Sequence, residues 1–185
     1  MNVNEIMAAL GTVEQDHELV LEKIRALRTV VGLLLEPKDI DAHRVLGQLR
    51  DIRDYLATQL EAHFEEEDET LFPILEQQSP NGPLLVAQLR KDHDEIRRKR
   101  EEFGNCLAVA TELEDNLPRA VLRDLVIDGW ELWSLLDHHA NAETEGVQEC
   151  VAQAARRPHP PARRRNAGPW ALTRGTDVLP LAWQA

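Results

Sequence analysis

The sequence predicts an all-α fold: an antiparallel up-down-up-down four-helix bundle with a disordered C-terminal tail. Three observations predict it. Four long segments carry apolar residues at helical spacing. The 185 residues are 43% hydrophobic but only 4% aromatic, and Leu, Ala, Glu and Arg dominate, a mix suited to helices packed on helices. The connections between the segments are short, which favours antiparallel neighbours.

The first helix is expected from Asn4 to Leu35, with Leu10, Val13, Val20, Leu21, Ile24, Leu27 and Val31 on one stripe, and it stops before Pro37. The second begins near Asp39 or Asp41, either a good N-cap, and carries Leu46, Leu49, Ile52, Leu56, Leu60 and Phe64. Pro73 should kink or tighten its last turns before "QQSPNGP" breaks the chain. The third opens with Pro83 and runs through Leu85, Val86, Leu89, Ile96 and Phe103 to about Leu113. The fourth takes Asn116 as its cap with Pro118 inside it, and continues from Val121 to Val151.

The composition changes at Arg156. Residues 1–155 and Arg156 to Ala185 separate an acidic body of net charge −17 from a tail of net charge +5, with six arginines and a cluster of prolines. The tail reads as a disordered extension or as sequence unrelated to the fold. The other reading is a basic tether with Trp170 and Trp183 as anchors. The overall charge of −12 argues against nucleic acid as the main partner. No apolar run approaches the length of a membrane span, and the N-terminus carries no secretory pattern. Cys106 and Cys150 read as small apolar side chains in a reducing compartment, so a cytoplasmic protein is expected.

Four of the seven histidines obey one arithmetic. His17 to His63 spans 46 residues, and so does His93 to His139. Glu67 follows His63 by four, as Glu143 follows His139, so the second half repeats the first with an offset of 76. At 1.5 Å per residue the four histidines stand about 15–22 Å from the same end of the bundle, in one layer. Each continues the apolar stripe of its own helix and should point at the bundle axis. Buried carboxylates without a counter-charge are costly, and a cation removes the cost. In "AHFEEEDETLFPIL", His63 and Glu67 therefore face inward, while Glu65, Asp68 and Glu69 form a solvated outer face and Glu66 fits either place.

Four imidazoles and two carboxylates, with no thiolate, suit iron or manganese better than a structural zinc site. They suffice for two non-haem iron ions joined by an oxo or hydroxo bridge, with manganese second. The expected ligands are His17, His63, His93 and His139, two to each iron, with Glu67 and Glu143 bridging. One open position per metal remains for a small molecule.

These residues resemble the hemerythrin-like, HHE cation-binding four-helix bundles over about residues 4–154. The likeness rests on "QDHELVLEKI" around His17, "HFEEEDETLFP" from His63, "KDHDEI" around His93 and "HHANAE" ending at Glu143. The pattern is less like the oxygen-carrying hemerythrins of invertebrates, which have a further histidine where Arg97 stands here. It is similar to bacterial iron-sulfur-centre repair proteins, without their extra cysteine-containing domain, and to other bacterial HHE proteins. Helix 4 departs from the family string at Thr144, and no LFP follows. His43 lies about 30 Å from His63 along its helix, too far to join the site. His138 reads as a neighbour, His159 falls in the tail, and Tyr55 reads as a packing residue.

The resemblance implies a di-iron protein that binds O2, NO or peroxide for sensing, storage, detoxification or iron handling. Its rival is an enzyme at the same centre, donating iron for cluster repair or turning over NO or peroxide. A metal-free helical interaction module comes third.

Overall fold

The computed structural model describes residues 3–35 and 41–156, with side chains from residue 18 onward. The tail beyond Arg156 and the His17 side chain, for which expectations are given above, lie outside the described residues. Helix α1 spans Val3–Leu33, α2 Ala42–Glu66, α3 Phe72–Gln78, α4 Gly82–Glu112 and α5 Arg119–Arg156. No strand occurs among the described residues. None of their helices is long and apolar enough to cross a membrane.

The long helices form a four-helix bundle, α1 packing on α2 and α5, and α4 on the same two. Paired residues show that neighbours run in opposite directions. Glu61 of α2 meets Arg97 of α4, and Asp68, just past the end of α2, meets Arg90 of α4. Lys99 meets Glu131, and Cys106 meets Val121, across α4 and α5. Arg28 lies over Trp133, and Val31 abuts Gly129, across α1 and α5.

Local chemistry sets the helix ends. Asp41 caps α2, its Oδ1 accepting from the Arg44 backbone N–H at 3.1 Å. Pro83 sits in the first turn of α4, where its missing N–H costs nothing. Asn116 does not cap α5. It closes a 3-10 turn, Glu114–Asn116, and the helix starts only at Arg119. Pro118 stands outside the helix and its carbonyl accepts from the Leu122 N–H.

Pro73 does not tighten the last turns of α2 but follows a widened turn. Between α2 and α3, Glu67–Leu71 form a π turn in which the Phe72 N–H reaches the Glu67 carbonyl. A proline has no N–H for the residue four before it, and its ring crowds that carbonyl. For Pro73 that residue is Glu69, inside the π turn.

The core has two parts. The larger runs from Val45, Leu107 and Leu125 to Val20, Phe64, Ile96 and Leu136. The smaller, at the other end, gathers Leu71, Phe72, Leu75, Val86, Leu89 and Cys150. Between them in sequence, on α2, the π turn, α4 and α5, stand buried polar residues: His63, Glu67, His93, His139 and Glu143.

Candidate metal centre

His63 comes from the end of α2, Glu67 from the π turn, His93 from α4, and His139 and Glu143 from α5. All five are buried, and Glu67 is fully so. The four-residue steps from His63 to Glu67 and from His139 to Glu143 put each imidazole and carboxylate on one helix face. The His139 step lies within regular helix, and the His63 step runs into the π turn.

Glu67 is the hub. Its Oε1 lies 2.6 Å from His63 Nε2, and its Oε2 lies 2.9 Å from His93 Nε2 and 3.6 Å from His139 Nε2. His93 Nε2 and His139 Nε2 are 3.3 Å apart. Glu143 Oε2 is 3.7 Å from His139 Nε2. Two triads result, Glu67–His93–His139 and His63–Glu67–Glu143, each with its donor atoms within 4.8 Å of one another. Glu67 belongs to both.

This donor set fits a cation. Ligand atoms about 2.1 Å from an octahedral ion and at right angles stand about 3 Å apart, the scale of these separations. Electrostatics agree. Burial works against the charged form of His139, but Glu67, Glu143 and Asp92 outweigh it and raise its pKa. The field that favours a proton there also favours a metal ion.

Aromatic rings hold His93 in place. Phe64 stacks on it with centroids 3.8 Å apart and planes 15° apart, and Phe72 lies on it at 5.3 Å. The Arg97 guanidinium covers Phe64, and that of Arg90 covers Phe72. Arg97 thus turns away from the centre. It binds Glu61, whose carboxyl it holds below the usual carboxylate range through their hydrogen bond.

Beside His63, His139 and Glu143 lies a cavity of about 10 Å³, walled by Val20, Leu21, Ile24, Leu60, Phe64, Leu136 and Ala140. That is about the room one water-sized molecule needs. Among the described residues, the three polar ones of its wall are all members of the triads.

Two carboxylates near the centre escaped the sequence reading. Asp68, expected on a solvated face, is only 40% exposed and is held by Arg90, with Oδ2 3.9 Å from His93 Nδ1. Asp92 is buried and faces His139. The available signal was the repeat itself, since Asp92 precedes His93 as Asp16 precedes His17. The remaining polar residues fall as expected: Glu65 and Glu69 are exposed, Glu66 is half-buried, and His138 is exposed. His43 pairs with Glu114 at the surface, and Tyr55 packs against the core beneath Lys23.

A four-helix bundle with buried imidazoles and carboxylates gathered about one shared glutamate defines a helical cation-binding protein. The Hemerythrin HHE cation binding domain matches residues 8–151, and the chain belongs to that family. No curated protein and no solved structure matches it.

Proposed function

We propose that this is a non-haem di-iron protein that binds a small molecule, O2, NO or peroxide, for sensing, storage, detoxification or iron handling. The observation that carries this reading is Glu67, one buried carboxylate belonging to two donor triads. Its oxygens turn to different imidazoles, which suits two neighbouring cations better than one.

Imidazole and carboxylate donors without thiolate favour iron over a structural zinc ion. Both cysteines stand outside the triads, and burial pushes the Cys106 thiol up to about 11. Two free cysteines also suit a reducing compartment such as the cytoplasm.

When bound, a reduced iron pair supplies electrons and open coordination positions. The chain's residues supply the setting. His93 is clamped between two phenyl rings, so its Nε2 is held toward Glu67. Leu60, Leu136 and Ile24 wall the cavity and limit water. A neutral diatomic suits such walls, whereas a charged substrate would lose its hydration without gaining partners. Apart from the triad members, no lining residue among those described can carry a proton, which favours binding over turnover.

The test is to load the protein with Fe(II) without air, remove the excess, and add NO or air while following the optical spectrum. A stable new absorption that saturates supports a binder. Rapid consumption of many equivalents, with the starting spectrum restored, would make the protein an enzyme.

A further inference from the structure

Asp92 lies one residue before His93 on α4 but serves a different helix. Its Oδ2 faces His139 Nδ1 of α5 at 4.0 Å. Both atoms are buried, and neither has a hydrogen-bond partner. The other oxygen is anchored: Gln88, one turn earlier on α4, donates its Nε2 amide to Asp92 Oδ1 at 2.7 Å. The separation of 4.0 Å is longer than a hydrogen bond, yet too short to admit a bridging water. Two buried polar atoms, one able to donate and one to accept, face each other across a gap that a small ring rotation closes. Leaving both unsatisfied is costly, and each is positioned to satisfy the other.

We propose that Asp92 is a positioning residue for His139, accepting its Nδ1 proton and so presenting the Nε2 lone pair to a cation at the Glu67–His93–His139 triad. A metal-bound imidazole needs its other nitrogen protonated, and a carboxylate there fixes the ring and strengthens the ligand. The inference rests on the reading of that triad as a metal site. Gln88 completes the arrangement by holding the carboxylate at an angle that leaves Oδ2 for His139. The same Asp-His pair stands at Asp16 and His17, so the 76-residue repeat includes the aspartate as well as the ligand positions.

The experiment uses Zn(II), which is diamagnetic, as the probe on the full chain in three forms: wild type, Asp92→Asn and Gln88→Ala. Zn(II) affinity is measured by competition with a chromophoric chelator, and the imidazole N–H protons of the loaded protein by NMR. Asp92→Asn keeps the shape and removes the charge. It should weaken binding about 10- to 100-fold and abolish the slowly exchanging Nδ1 proton of His139. Gln88 is exposed, so Gln88→Ala folds in any case, and it should give a smaller loss in the same direction. A merely structural role would instead lower the melting temperature of the metal-free protein and leave the affinity of the folded fraction unchanged. That result overturns the proposal. Equal affinity in all three forms also overturns it while leaving the metal site standing. If wild type itself takes up no Zn(II), the proposal and the site reading fall together.

Discussion

Single residues around His93 divide into those that hold it by packing and those that act only at the surface. Phe64 is completely buried, stacked on His93 and edge-on to His139. Phe64→Ala should therefore lower stability by about 3–5 kcal/mol, the usual cost of emptying a core phenyl site. Arg97 covers the same ring from outside and pairs with Glu61. Both partners are about one-third exposed, so Arg97→Gln should cost only about 0.2–1 kcal/mol. Urea unfolding of the metal-free protein separates the two, and equal losses would mean that the ring contributes little. At this scale the sequence was a partial guide. Spacing alone put His17, His63, His93 and His139 in one layer with Glu67 and Glu143 one turn on from two of them, because helical periodicity converts residue number into height and direction. It could not foresee the Phe64–His93–Phe72 stack, whose members come from three elements and meet only through side-chain rotamers. Asp68 is a borderline case: its carboxylate is 40% exposed and paired with Arg90, yet comes within 3.9 Å of His93 Nδ1. The π turn shifts the helical phase just after Glu67, so a count of 3.6 residues per turn no longer tells how near each acid comes to the centre.

Elements meet closely at glycines, and these give a test with opposite signs. A Cβ on Gly82 would lie 1.9 Å from the Leu75 carbonyl oxygen, so the start of α4 is pressed against the last turn of α3. Backbone cannot step aside as a side chain can, and Gly82→Ala should destabilise by about 1–3 kcal/mol or more. Gly47, in the second turn of α2, meets nothing nearer than the Arg50 side chain at 3.8 Å. There Gly47→Ala gains helix propensity and should stabilise by up to about 1 kcal/mol. Thermal melting of the two variants checks the pair, and a fall for both would show that α2 is also constrained at Gly47. Helix identities were plain in the sequence because long apolar stripes survive small errors. Ends were less so. Asp41 did cap α2, but Asn116 was absorbed into a 3-10 turn, since Pro118 disfavours helical backbone in the residue before it, and Leu117 is extended with ψ 112°.

The whole molecule places a layer of acids and imidazoles between two apolar clusters, so its stability should be linked to what that layer holds. A cation bound by the folded chain and not by the unfolded one adds about 2.7 kcal/mol at one hundred times its Kd. For a bundle of this size each kcal/mol is worth about 2–4 °C, so saturation should raise the Tm by about 5–10 °C for each ion. A chelator should reverse the rise. A Tm indifferent to Fe(II) would count against a site inside the fold.

The most direct measurement is the iron content of wild type and Glu67→Gln after anaerobic loading with Fe(II) and removal of the excess. Because Glu67 belongs to both donor triads, the account predicts about two irons per chain in wild type and fewer than one in the variant. One iron or none in wild type, or two retained by Glu67→Gln, would contradict it.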